Sequence, residues 1–367
     1  MTEPEGYKSY DGSGVDVERG DRCSRIAYEA SQRTFANQSL DVFEPEMLEG
    51  GFSGPLRINS DLRGASLVKN SDGVGSKALV AQRMESYDTL GFDLIAMLVD
   101  DAASVGAVPV AGTNTLDVGR AEPQMVGELM EGLVRACRAA DVCMVGGEIA
   151  ELPDQVKGYS AHPFVWNGDL LGLLEEGGRI DGSEIEPGQG VVAIRSNGIR
   201  SNGLTLARDI CCSAFGPDWH EEPYDDELSW GDVLLKPSRI CAPILGELTG
   251  GFRGKPRAEV TGIVHVTGGG LRNLRRVLPE GTGASLTDPV PPGEEFVRLQ
   301  ELGPVTEEEA YGTWNMGQAV LVVTSTPGKV KKVIEEFEVS ARIIGKITDS
   351  DDIVCQGKGF EGKEFVL

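Results

Sequence analysis

Asn70-Ser71-Asp72-Gly73-Val74-Gly75-Ser76-Lys77, read together with Gly146-Gly147-Glu148 and the Asp100-Asp101 pair between them, decides how this chain is interpreted. Glycines let backbone N–H groups approach phosphate oxygens closely, whereas carboxylates share such a site only through a bridging cation. One lysine, several glycines and spaced carboxylates therefore predict a site for a magnesium-bound polyphosphate, with ATP as the expected ligand. No Walker loop is involved: Gly75-Ser76-Lys77 lacks a glycine directly before the lysine and a hydroxyl residue after it.

Outward from that stretch, residues 65–70 fit a strand that delivers Asp72 into the first glycine loop, and residues 77–84 start a helix. Leu94 to Val99 is a continuous apolar run ending at the two aspartates, and it fits either a buried helix or a buried strand. Residues 124–140 carry Met125, Leu129, Leu133 and Ala136 on one helical face. A short buried strand at 142–145 is expected to end at Gly146-Gly147-Glu148, and residues 170–174 read as the last strand of the unit. Asp72, Asp101 and Glu148 each close an apolar segment. Their predicted convergence on Mg²⁺, with Lys77 as a charge clamp, is what phosphoryl transfer requires.

The polar, glycine-rich segment 175–190 reads as a domain boundary, dividing the chain into residues 1–177 and 178–367. The second half repeats the theme of strands, glycine turns and helices. Strand 191–194 leads to Ser201-Asn202-Gly203 and a helix, and residues 263–274 read as strand, glycine loop (Gly268-Gly269-Gly270) and helix. The order of elements predicts an α+β architecture in each half. A helix N-terminus after three glycines can hold a phosphate.

Composition narrows the function classes. A formal charge of -24 argues against a nucleic-acid partner, because a polyphosphate backbone needs a basic face. No run reaches the ~18 apolar residues that span a bilayer, and the polar, acidic start lacks the basic and apolar pattern of a signal peptide. A cytoplasmic location is expected. The seven cysteines contain no Cys-x-x-Cys pair, and the three histidines have no metal-ligand spacing. The acidic groups at 221–227 and 307–309 read as solvated loops or helix starts.

Seven motifs, in order, carry a resemblance: Ser9-Tyr10 with Gly14-Val15-Asp16; Asp72 to Lys77; Asp88-Thr89-Leu90-Gly91-Phe92-Asp93-Leu94; Gly146-Gly147-Glu148; Ser201-Asn202-Gly203; His265-Val266-Thr267-Gly268-Gly269-Gly270; and Thr313-Trp314-Asn315-Met316-Gly317. The chain resembles, nearly end to end, the phosphoribosylformylglycinamidine cyclo-ligase (aminoimidazole ribonucleotide synthetase) family of purine biosynthesis. The resemblance implies a two-domain fold whose N-terminal domains pair into a β-barrel across a homodimer. It also implies ATP-dependent closure of an imidazole ring.

By the same resemblance, Asp72, Asp101 and Glu148 serve Mg²⁺-ATP. Lys77, Gly73, Gly75, Gly146, Gly147 and the Gly50-Gly51 loop approach the phosphates, while Asn202, Thr267, Gly268, Gly269, Gly270 and Asn315 face the substrate. Lys77, Arg200, Asn202 and His265 stand at the positions expected to serve catalysis. The chain departs from the family pattern at Arg200, where a histidine is usual, at Ile149 for threonine, at Asp100 in place of asparagine, and through residues 154–164. Arginine cannot serve as a base at neutral pH. A small-molecule kinase of the same superfamily and a non-catalytic nucleotide-binding paralogue are the competing readings. The presence of all three carboxylates disfavours the second.

Overall fold

The structure is a computed structural model that describes residues 16–37, 41–46 and 54–367. Two sheets organise it. The first has four strands in the order β3-β6-β4-β5: β3 (Ser66–Gly73), β4 (Val108–Val118), β5 (Cys143–Glu151) and β6 (Phe164–Leu174). A separate short pair, β1 (Phe43–Pro45) and β2 (Leu56–Ile58), closes a small apolar cluster around Val110, Cys143 and Leu173 on one face of this sheet.

Helices cover the other face. They are α1 (Val17–Thr34), α2 (Lys77–Met84), α3 (Leu90–Ser104) and α4 (Pro123–Ala140). The apolar run at 94–99 is thus helical, and it is buried on nearly every side because α3 is sandwiched between the first sheet and the second half of the chain. One close approach demands glycine and a second favours it. A Cβ on Gly91 would lie 2.3 Å from the backbone of Gly132 in α4, and one on Gly168 would lie 3.0 Å from Leu98 of α3.

The strand expected at 142–145 continues through Gly146, Gly147 and Glu148, which pair in register with Thr113, Asn114 and Thr115 of β4. Asp72 likewise lies inside β3, opposite Gly168. These acidic glycine segments are strand ends rather than loops. The long central strand β4 escaped the sequence reading, because Pro109, Gly112 and Asn114 break its apolar pattern.

The second sheet has seven strands in the order β13-β12-β9-β11-β7-β10-β8. They are β7 (Gly190–Arg195), β8 (Gly262–His265), β9 (Gly283–Leu286), β10 (Gln318–Thr324), β11 (Ala341–Thr348), β12 (Ile353–Gln356) and β13 (Glu364–Val366). Pairing is antiparallel except between β12 and β9. Helices α5 (Leu204–Phe215), α6 (Trp230–Leu234), α7 (Ala242–Thr249), α8 (Glu294–Leu302), α9 (Glu307–Thr313) and α10 (Pro327–Glu335) surround it. Residues 270–276 form a 3₁₀ helix rather than the expected α-helix. Glu307 is buried rather than solvated, and it accepts hydrogen bonds from Gln300, Gly359 and Glu361. Among the described residues no helix is long and apolar enough to cross a membrane.

The two halves share one apolar core, and α3 carries buried polar links between them. Asp100 Oδ2 accepts from Arg200 Nη2 at 2.8 Å, and Asp100 Oδ1 accepts from the Cys241 and Ala242 N–H groups at the start of α7, each at 2.8 Å. Arg200 also donates to the Ala319 carbonyl at 3.1 Å, and both charged side chains are buried. Neutralising one member of such a pair strands the other in a low-dielectric interior. Asp100→Asn is expected to lower stability by about 3–5 kcal/mol, read as a fall in the urea unfolding midpoint. Asp100→Asn combined with Arg200→Met should recover part of the loss.

Candidate functional site

Where β3 ends, the backbone turns through Gly75 in a left-handed conformation (φ +58°) before Ser76 opens α2. A Cβ on Gly75 would sit 3.4 Å from the Ser201 carbonyl, so the first glycine segment touches the Ser201-Asn202-Gly203 turn of the second half. Ser76 and Thr205 hydroxyls meet at 3.3 Å along the same seam. Asn202 donates to Met97 Sδ of α3 at 3.5 Å, and its Oδ1 would be 3.4 Å from a Cβ on Gly268. The seam thus draws Gly75, Asn202 and Gly268 together.

Asp101 and Asp72 supply the charge beside that seam. Asp101 Oδ1 lies 2.7 Å from Nδ1 of His265, whose ring is buried at the end of β8 and whose Nε2 has no partner among the described residues. Asp101 itself remains partly exposed. Burial raises the Asp72 carboxyl above its ordinary range and the charge on Asp101 pushes the same way, while the Gly73 N–H (2.7 Å) and His265 pull back. Two carboxylates that repel one another next to a partly open seam form a setting that a cation relieves.

Glu148 does not join them. Asp72 aligns across the sheet with Gly168, Asn114 and Gly147, so Glu148, one residue further, projects from the opposite face. Three strand spacings, about 14 Å, also separate β3 from β5. Among the described residues no group of three acidic, histidine or cysteine side chains is poised to hold a metal. The predicted three-carboxylate convergence is therefore corrected to a pair, Asp72 and Asp101, with His265 behind it.

Three further expectations are corrected by burial. Lys77 is wholly buried: its Nζ donates to Asp93 Oδ1 at 2.7 Å and to the Lys236 carbonyl, and the Ser238 hydroxyl donates to the same Asp93 oxygen. Burial pushes the Lys77 ammonium below its ordinary range against the pull of Asp93. It ties α2 to α3 and to the second half and is not presented to a phosphate. Arg200 points into the interface with Asp100, not into the seam. Asn315 is buried with its amide donating to the Gly198 carbonyl and its Oδ1 accepting from Gly317, each at 2.8 Å.

The Thr267 to Gly270 turn is held from inside. Asn273 accepts from the Thr267 N–H at 2.8 Å and donates to the Gly268 carbonyl at 3.2 Å. Gly270 (φ +54°) is forced to be glycine, because a Cβ there would meet the Tyr311 carbonyl at 2.0 Å. Gly268 alone of the three glycines is seen against Asn202; a Cβ on Gly269 would meet Asn273. Gly73 pairs with Asn167 in the sheet, Gly146 and Gly147 are strand residues, and Gly50 and Gly51 lie outside the described residues. Sequence reading missed Asp93, Ser238 and Asn273. The available signal was spacing, since Asp93 stands seven residues, two helical turns, before Asp100.

Residues 56–172 match the model for the AIR synthase related protein N-terminal domain, and residues 186–358 match the model for the C-terminal domain. This chain belongs to the AIR synthase family. Among its relatives is the phosphoribosylformylglycinamidine cyclo-ligase of Methanococcoides burtonii, 34% identical over 347 residues, covering 94% of this chain and 96% of that protein. The enzyme of the same name from Pyrococcus furiosus is 33% identical, covering 96% and 98%.

Solved structures share the AIR synthase family fold. They include E. coli HypE (TM-score 0.59, 14% identity, 94% and 96% covered) and the thiamine-monophosphate kinase of Stenotrophomonas maltophilia (TM-score 0.60, 15% identity, 91% and 95% covered). At such identities the likeness is one of fold.

Lys77→Met separates the two roles considered for that residue. Loss of the buried ammonium is expected to cost about 3–5 kcal/mol in urea unfolding. A phosphate contact would instead weaken nucleotide binding at unchanged stability.

Proposed function

We propose that the chain is a phosphoribosylformylglycinamidine cyclo-ligase: it cyclises formylglycinamidine ribonucleotide to aminoimidazole ribonucleotide with conversion of ATP to ADP and phosphate. The observation that carries this reading is near-full-length similarity at 33–34% identity to relatives of that name, joined to a site in which both halves meet. A structural neighbour, a hydrogenase maturation protein HypE, is described in complex with ATP (14% identity, TM-score 0.58). That supports ATP as the ligand here.

In the reaction, the γ-phosphoryl group of ATP passes to the formyl-amide oxygen, turning it into a leaving group. The amidine nitrogen attacks the activated carbon, loses its proton, and phosphate departs as the imidazole closes. The protein's share is positioning and neutralisation of charge. Asp72 and Asp101 would hold Mg²⁺, which would screen the charge of the phosphates. The mutual repulsion of these carboxylates fits that load. His265 acts as a positioning residue through its bond to Asp101. Asn202 and Gly268 face the ribonucleotide across the seam.

We take residues 1–177 and 178–367 as the two domains, in keeping with a first sheet that ends at Leu174 and a second that begins at Gly190. The protein is a cytoplasmic homodimer in this reading. The dimer is supported by the outer face of the first sheet, where Leu67 is 62% and Val165 46% exposed. Glu148 lies on that same face.

Incubation with Mg²⁺, ATP and formylglycinamidine ribonucleotide is expected to yield ADP and aminoimidazole ribonucleotide. ADP without the imidazole would instead establish a kinase, and no ADP a binding protein. Asp72→Asn is expected to reduce turnover at least a hundredfold without loss of stability. A carboxyl whose pKa is raised on folding contributes stability below its unfolded pKa and loses it as pH rises through the folded value, so at neutral pH the charge on Asp72 is a burden to the fold. A lowered melting temperature in that variant would contradict this assignment.

A further inference from the structure

Beyond the carboxylates, the seam continues to a cationic corner that none of these roles uses. Arg83 near the end of α2 places its guanidinium 4.0 Å from the centroid of the Tyr159 ring, and Arg208 of α5 lies 5.5 Å from the same centroid while donating to the Tyr159 hydroxyl at 3.0 Å. Tyr159 comes from the connection between β5 and β6, where its backbone N–H is fixed by Gln82 of α2 at 3.0 Å, and it is 51% exposed. Two arginines from opposite halves of the molecule thus share one aromatic ring at the surface.

Charge makes this unusual. The chain is strongly acidic, yet among the described residues neither arginine has a carboxylate partner, and Arg83 Nε is buried with no acceptor. The two guanidinium groups stand within roughly a Debye length of one another and repel. Stacking on tyrosine fixes their planes and offsets part of that cost, but an aromatic ring leaves most guanidinium N–H donors free. Paired arginine forks with free donors match the oxygens of a phosphate monoester.

Location indicates which phosphate. Arg208 lies one turn along α5 from Thr205, which touches Ser76 across the seam, and Arg83 lies on α2, the helix that Ser76 opens. From Gly203, beside Asn202, to Arg208 the helix rises about 7–8 Å. A ribose phosphate can bridge that span, with its amidine end toward Asn202 and its phosphate at the corner. The acidic pair Asp72 and Asp101 would repel a bare phosphate, whereas the corner carries two cations.

We propose that Arg83, Tyr159 and Arg208 form the subsite for the 5′-phosphate of the ribonucleotide substrate. The identity of that substrate rests on the cyclo-ligase reading; the phosphate site itself does not. Titration calorimetry of the intact protein with ribose 5-phosphate, without ATP, tests the site independently of turnover. Arg83→Gln with Arg208→Gln is expected to weaken binding at least tenfold, while binding of unphosphorylated ribose stays the same.

In the coupled assay the same variant should raise KM for the ribonucleotide at least tenfold, with kcat and KM for ATP unchanged. Arg208→Lys, which keeps the charge but loses the fork, should give an intermediate loss and supplies the readout where the double variant unfolds. Unaltered ribose 5-phosphate affinity overturns the proposal, as does an effect confined to KM for ATP. Loss of ribose 5-phosphate binding in the variant of a protein that makes no imidazole product keeps the phosphate site and rejects only the cyclo-ligase reading.

Discussion

The buried ion pairs between the two halves depend on one helix carrying aspartates into a dry interface. Asp93 and Asp100 stand two turns apart on α3. Each is answered by a buried cation, Lys77 and Arg200 respectively, and by further donors from the second half: Ser238 for Asp93, and the first N–H groups of α7 for Asp100. Desolvating four charges costs several kcal/mol each, and attraction repays this only when the remaining lone pairs are also satisfied. Asp100 meets that condition in full, because one oxygen faces a guanidinium and the other a helix N-terminus that favours negative charge. Such pairs add little stability over apolar packing. Their value is that they tolerate one arrangement only, and Asp101, next along the helix, is thereby aimed at His265.

The glycines serve the same end. Gly91 and Gly132 let α3 and α4 touch backbone to backbone, and Gly168 lets α3 settle onto the first sheet opposite Asp72. A bulkier residue at any of these positions would lift α3 and open the distance between Asp72 and Asp101. The electrostatics of the site are thus set by close packing some distance from it.

Much of this was legible from residues alone. Helix α2 begins where the pattern placed it, α4 lies within one residue of its expected bounds, and the α+β character of both halves follows from the order of apolar runs and glycine turns. The site was legible in kind but not in geometry. Lys77 read as a charge clamp beside glycines and carboxylates, and Arg200 and Asn315 as functional through the family resemblance, yet here each is consumed by a partner distant in sequence: Asp93, Asp100 and Gly198. Glu148 was misplaced for a different reason. Strand periodicity is two, so a carboxylate one residue beyond Gly147 lies on the far face of the sheet, and only the register across β4 and β6 reveals which face Asp72 occupies. Tyr159 gave no signal at all, being a lone aromatic in an irregular connection.

The two departures at 100 and 200 are best understood as one. A neutral asparagine at 100 facing a neutral histidine at 200 would leave no net charge in the interface, and neither would aspartate facing arginine. Either charged residue alone would bury an unpaired ion, at a cost of about 3–5 kcal/mol. The observed 2.8 Å contact joins the second combination. It also settles where the consequence falls. Arg200 adopts a left-handed backbone conformation (φ +63°) that directs its side chain toward α3 and sends Ser201 and Asn202 to the seam. The exchange therefore alters how the halves are fastened and leaves Asn202 against Met97 at the seam. The contacts of Asn202 with Met97 and of Asp101 with His265 involve neither exchanged residue, so the exchange leaves both in place.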